Sequence, residues 1–239
     1  MLNTYKNRFD LDDYKKIVGV KTNIHKVSYF FKDDILDLHS KKILIFDLEF
    51  SKNKVIFEVG GLILNNSKVE QTFFKEFKLP YGEPYWNFEK NAFIIAPLNT
   101  TKKEFSSKDT AWLMDLIDSV DYVMVHNYVA ESQCLAKLNK KPYSALTCEL
   151  LQNKKFICTN YSFKNKYFKS QGITDTSNGA VSEFFGWEIK SKDDKYVIKN
   201  DEVKFCVEKP EGVKSALHNS FYDSVVTLTN FMSLKKIGS

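Results

Sequence analysis

Residues 41–50, KKILIFDLEF, decide how the rest of the chain is read. Two lysines precede a run in which Ile43, Leu44, Ile45, Phe46, Leu48 and Phe50 make both alternating faces apolar. A strand with one face in water alternates, so this one belongs in the middle of a sheet covered on both sides. Within it Asp47 and Glu49 lie two residues apart, and the period of two puts both carboxylates on one face near the strand's C-terminal end. Unpaired charge is costly in such a place, so the pair calls for a cation or a proton.

Working outward, SKNK leads to VIFEVGGLIL (55–64), and Asn65-Asn66-Ser67 leads to VEQTFFKEFKLP (69–80). Three strands joined by tight turns make an antiparallel meander. Residues 80–108, with Pro80, Pro84 and Pro97 among several aromatics, read as a long irregular connection. From Lys108 the spacing of Trp112, Leu113, Leu116, Ile117 and Val120 is helical. DYVMVHN (121–127) follows as a short strand, then a helix over 131–140 with Leu135 and Leu138 inward, a further helix over 144–152 and a strand at 156–159. A helix over 180–185 stops at Gly186. Residues 187–209 alternate through two turn-prone triplets, as a β-hairpin or three short strands do, and 220–235 is an amphipathic helix with Phe221, Val225, Leu228 and Met232 on one face. Strands first, then alternating helices and strands, indicate an α/β fold with a mixed sheet. Residues 1–40 are charge-rich around an apolar island at 27–31, and read as an N-terminal extension with one helix over 32–38; residues 41–239 form the main domain.

The whole chain of 239 residues is 43% hydrophobic and 15% aromatic, enough for a substantial core. Its net charge of +5 rests almost wholly on lysine, Arg8 being the only arginine, and permits an anionic partner without demanding one. Cys134, Cys148, Cys158 and Cys206 show no CxxC spacing, which points to reduced thiols in an intracellular protein. The charged N-terminus lacks the apolar run of a signal peptide, and no stretch reaches the ~18 apolar residues of a membrane span. A soluble, cytoplasmic protein is expected.

Two further elements carry acids. His126 and Asn127 end the DYVMVHN strand, and Glu131 opens the next helix on the face of Leu135 and Leu138; alone, it also fits a first-turn glutamate that favours the helix dipole. His218 precedes the last helix and Asp223 lies in its first turn, where Ser220 and Asp223 also have the spacing of a capping box. Taken in order, D-x-E on the first central strand, HNxxxE after a middle strand and HxxxxD opening a C-terminal helix resemble the DEDDh branch of the proofreading-type 3′-to-5′ exonuclease superfamily. The resemblance covers residues 41–235, with FDLEF and HNSFYD its closest matches. It implies a ribonuclease-H-like mixed sheet, an antiparallel three-strand meander plus parallel strands, flanked by helices. Glu131 departs from the family, which usually has aspartate there. The 187–209 hairpin and the first 40 residues have no counterpart in the family's minimal domain.

A phosphodiester is anionic, so its hydrolysis needs positive charge on the phosphate, an activated water and a stabilised leaving oxygen, which two divalent ions supply. By resemblance, Asp47 bridges two Mg²⁺ or Mn²⁺ ions, Glu49 and Asp223 hold the ion that carries the attacking water, Glu131 serves the second ion, and His218 is the general base. The implied activity is 3′-to-5′ exonuclease release of nucleoside 5′-monophosphates from DNA or RNA. Leu48 and Phe50, with His126 and Asn127 beside them, take the terminal nucleotide of a single-stranded or 3′-terminal nucleic acid. Tyr81, Tyr85, Trp86 and Phe88 offer rings for stacking or for docking on the core. The lysines of KNKYFK (164–169) and of the hairpin (190, 192, 195, 199 and 204) offer a phosphate track or an ordinary solvated surface. Two other readings share the fold: a nucleic-acid-binding or scaffolding protein with weak or no turnover, and the proofreading subunit of a polymerase.

Overall fold

The computed structural model describes residues 37–87, 90–98, 101–138, 154–160, 168, 172, 174–213 and 219–238. The extension up to residue 36, the helix expected over 144–152, the lysines of 164–169 and His218 lie outside the described residues. Of the helix expected over 32–38 only the last residues are described, and they open a short 3-10 turn, Asp37–Ser40.

Strand β1 (Lys42–Phe50) is the spine of a five-stranded sheet. On one side it pairs antiparallel with β2 (Ile56–Asn65), which pairs antiparallel with β3 (Lys68–Glu76), forming the expected meander. On the other side it pairs parallel with β6 (Tyr122–Val125), and β6 with β7 (Lys155–Cys158). The order β3-β2-β1-β6-β7 makes the sheet mixed. Helices α1 (Ser107–Asp118) and α2 (Tyr128–Lys137) bury Leu113, Met114, Ile117 and Leu135 against Leu44, Phe46 and Leu48 on one face. Ile43 and Ile45, pointing the other way, pack with α4 (Ser220–Gly238) through Phe221, Val225, Leu228 and Phe231. Two separate cores therefore explain why β1 is apolar on both faces.

The connection at 80–108 is more regular than its composition predicts. It contains a hairpin of β4 (Pro84–Asn87) and β5 (Ala92–Ile95), in which Tyr85 opposes Ile94 and Trp86 opposes Phe93. The expected helix at 131–140 starts three residues earlier, at Tyr128, because the Asn127 carbonyl accepts from the N–H groups of Ala130 and Glu131. Helix α3 (Asn178–Phe184) also starts early and ends at Gly186, whose φ of 70° suits a residue without Cβ.

Residues 187–209 form a three-stranded sheet of β8 (Glu188–Lys192), β9 (Lys195–Lys199) and β10 (Lys204–Glu208). It is no detachable accessory. Tyr196, Ile198 and Val207 belong to the core under α4, and the Trp187 indole donates to Ser233 Oγ at 2.8 Å. Two of its lysines, Lys190 and Lys199, are paired with Glu188 at 3.3 and 3.2 Å, which weakens this surface as a phosphate track.

Candidate metal centre

The period of two places Asp47 and Glu49 on the face of β1 that α4 covers. How closely α4 approaches is set by Gly60, which lies opposite Asp47 in the antiparallel register. A Cβ on Gly60 would stand 2.2 Å from Phe221 N and 2.6 Å from Ser220 Oγ, so the helix start occupies the space of a side chain. Three bonds fix that start. Asn219 Oδ1 caps it by accepting from Tyr222 N at 2.8 Å, the Ser220 N–H donates to Glu58 Oε1 at 2.6 Å, and Ser224 Oγ donates to the Gly60 carbonyl at 2.9 Å. From α3, Asn178 Nδ2 donates to the Asp223 carbonyl at 2.8 Å. The capping-box alternative for Ser220 and Asp223 is thereby corrected: Asn219 does the capping and the Asp223 carboxylate faces the sheet acids. One carboxylate oxygen each from Asp47, Glu49 and Asp223 lies within 4.8 Å of the others.

Glu131 arrives from the opposite layer, on the helix whose Cys134 and Leu135 pack under β1. It is 3% exposed, and its Oε2 is a buried oxygen without a hydrogen-bond partner. Burial pushes its pKa up to about 8, against a hydrogen bond from its own backbone and the nearby charge of Lys54. Asp47 is raised well above the ordinary carboxylate range, first by burial and then by the charges of Asp223, Glu49, Glu131 and Glu58. Glu49 is raised by burial and by Asp223, Glu58 and Glu131, and Asp223 reaches about 7 through burial and Glu58. The cluster of Asp47, Glu49 and Asp223, mutually repelling and desolvated, suits a hard divalent cation such as Mg²⁺ or Mn²⁺, and Glu131 stands outside that group with its unused oxygen.

No family model, curated protein or solved structure matches the chain.

Among the residues expected to receive substrate, the structure separates surface from scaffold. Phe50 is partly buried, with the Lys54 ammonium 4.1 Å from its ring centroid, and Asn127 is exposed. Leu48 is 3% exposed and turns into the core beneath α1 and α2, so its side chain offers no surface to a ligand. His126, expected among the substrate contacts, is buried and braces the fold: Nδ1 meets Thr159 Oγ1 at 2.8 Å and Nε2 meets the Thr176 carbonyl at 2.9 Å. Burial lowers its pKa to about 4, so the ring is neutral at physiological pH. It ties the end of β6 to the segment that leads into α3, and through Asn178 to Asp223.

Four residues were missed by sequence reasoning. Glu58 sits opposite Glu49 and was readable as an acid inside the apolar run VIFEVGGLIL. Gly60 belongs to the same motif. Asn178 carries no local signal, because its partners Asp223, Thr227 and Asn230 lie far along the chain. Lys54 also escaped notice: it has φ 63°, uncommon for a residue with a Cβ, and that turn conformation accompanies its position over Phe50. No helix among the described residues is long and apolar enough to cross a membrane.

Proposed function

We propose that the protein is a metal-dependent 3′-to-5′ exonuclease of DNA or RNA, with a ribonuclease-H-like fold and a site of the DEDDh kind. The observation that carries this reading is the convergence of Asp47, Glu49 and Asp223 on one small volume, with the unpartnered Oε2 of buried Glu131 in the adjoining layer. Asp47, Glu49 and Asp223 would hold one Mg²⁺ or Mn²⁺, and Asp47 with Glu131 a second. Such a pair of ions supplies a nucleophile at neutral pH and a clamp on the attacking and leaving oxygens.

The chain's own groups account for the rest. Asp47 lies between the two halves of the carboxylate set, which is why the charges of Asp223, Glu49 and Glu131 all bear on it. Glu58 works behind the site: it holds the first N–H of α4 and so the distance between Asp223 and β1. His218, one residue before the cap of α4, takes the water's proton, the imidazole being the side chain best suited to accept one near neutral pH. Phe50 and Asn127 meet the terminal nucleotide, and the product is a nucleoside 5′-monophosphate. The free thiols of Cys134 and Cys206 fit a reducing compartment.

Digestion of 3′-labelled and 5′-labelled single strands, DNA and RNA in parallel, tests the proposal. Monophosphates released progressively from the 3′ end with Mg²⁺ or Mn²⁺, and none in EDTA, are expected. Absence of product from every end with either metal would overturn it.

A further inference from the structure

Hairpin β4–β5 carries a face that the described fold leaves open. Alternation turns Tyr85 toward the core, its ring edge-on to Phe57 at 5.3 Å, and turns Trp86 away. Trp86 meets its cross-strand partner Phe93 edge-on at 5.2 Å. Phe93 and Ile95 are each 60% exposed and Trp86 36%, so the pair presents ring surface to water instead of burying it. A hairpin this short, so apolar on its outer side, pays in exposed surface for something other than packing.

Its location says what that is. The Lys52 N–H donates to the Pro84 carbonyl at 2.8 Å, and the Ser51 hydroxyl donates to the Glu83 carboxylate. The hairpin root is thereby locked to the turn that follows β1, directly after Glu49 and Phe50. Exposed Lys52 lies at the root of the hairpin and exposed Lys90 at its tip, next in sequence to Glu89. Glu83, the acid at the root, is engaged by Ser51 and Asn53. Open aromatic rings on a hairpin rooted at the turn after the strand of Asp47 and Glu49, with a lysine at each end, complement a chain of alternating bases and phosphates.

We infer that the outer face of β4–β5, centred on Trp86 and Phe93, is a stacking platform for the bases of single-stranded nucleic acid a few nucleotides upstream of the end held at the acidic site. The inference rests on the nuclease reading for the position of that end. Stacking is sequence-tolerant because every base has a π-face, so the platform recognises single-strandedness and length, not sequence.

Binding of the full-length protein to a labelled single strand of about 12 nucleotides, in EDTA so that no turnover occurs, tests this by fluorescence anisotropy. The double variant Trp86→Ala, Phe93→Ala is expected to weaken binding about tenfold or more, and Trp86→Phe, which keeps a ring, to retain it. A strand with abasic sites at all but its terminal nucleotide should bind the parent protein as weakly as the intact strand binds the double variant. Hydrolysis of a dinucleotide should be unchanged in the double variant, since neither residue belongs to the acid cluster or to its hydrogen-bond partners. The platform is overturned if the double variant binds the intact strand as the parent does, or if the abasic strand binds the parent equally well. It is also overturned if the double substitution instead abolishes self-association of the protein, which would make the face an interface between copies. Base-dependent binding that requires Trp86, in a protein hydrolysing nothing, would support the platform and remove the nuclease chemistry alone.

Discussion

Glu131 is one methylene longer than the aspartate that the DEDDh pattern usually has, and it approaches Asp47 from the layer opposite Asp223. Mg²⁺ demands near-octahedral geometry, whereas an irregular shell suits Mn²⁺ better, so turnover is expected to be higher with Mn²⁺. Glu131→Ala should nearly abolish turnover with either ion, while calorimetry should show loss of only part of the metal binding, since Asp47, Glu49 and Asp223 remain. Full activity in Glu131→Ala would return this residue to a helix-dipole role. Lys54 offers a second test at this scale. Its charge opposes the raised pKa of Glu131, so Lys54→Met should move that pKa higher still, read by NMR titration of the metal-free protein. It should also lower turnover near neutral pH; an unmoved titration would show that the ammonium is too well solvated to matter. Asp47 and Glu49 were legible because charge inside an apolar run is conspicuous, whereas Glu131 and Asp223 stood out only through the ordered resemblance. Lys54 was not legible, because a turn lysine has no periodicity to violate.

The seat of α4 turns on an atom that is missing. Any Cβ at position 60 collides with the backbone of Phe221, so Gly60→Ala must push the helix, and Asp223 with it, away from β1. A loss of about 1–3 kcal/mol in denaturant unfolding should accompany weaker metal binding; an alanine variant with parental stability and affinity would show that the helix is not held there. Tyr196 tests the other support of α4. It is fully buried in the core that the helix shares with β9, and Tyr196→Ala should cost about 3–5 kcal/mol. The same burial means that replacing 187–209 by a short linker should unfold the protein, not merely weaken substrate binding. The sequence shows why element types were easier to read than element roles. The two-sided apolar run of β1 announces cover on both faces, and the meander follows from its turns. In 187–209 the alternation reveals an apolar face without revealing that α4 lies against it. At 84–95 Pro84 and the flanking Pro80 and Pro97 hide two strands of four residues, and Asn178 is joined to Asp223 only by tertiary structure.

Across the whole molecule, the buried carboxylates couple folding to pH. Those of Asp47, Glu49, Glu131 and Asp223 all have raised folded-state pKa values, with Asp223 near 7 and Glu131 near 8. A raised pKa means that the native state binds more protons than the unfolded chain. The stability these groups contribute is therefore fully present below their unfolded values near 4 and is lost as pH rises, through about 7 for Asp223 and about 8 for Glu131. In EDTA the melting temperature should fall between pH 5 and pH 8, and Mn²⁺ or Mg²⁺ should restore it most strongly at the alkaline end. Asp47→Asn, which removes the most crowded charge, should flatten the metal-free decline while abolishing turnover; a flat profile in the parent protein would contradict the electrostatic account. The arrangement of the two cores carries a further consequence. Asp223 is held by the layer of α4 and Glu131 by the layer of α2, with β1 between them, so neither layer owns a complete ligand set. Should either layer come loose, the protein is disarmed before it is destroyed. In the nuclease we propose, a half-folded copy, newly made or heat-damaged, could not degrade nucleic acid unsupervised: the fold would be its own safety catch.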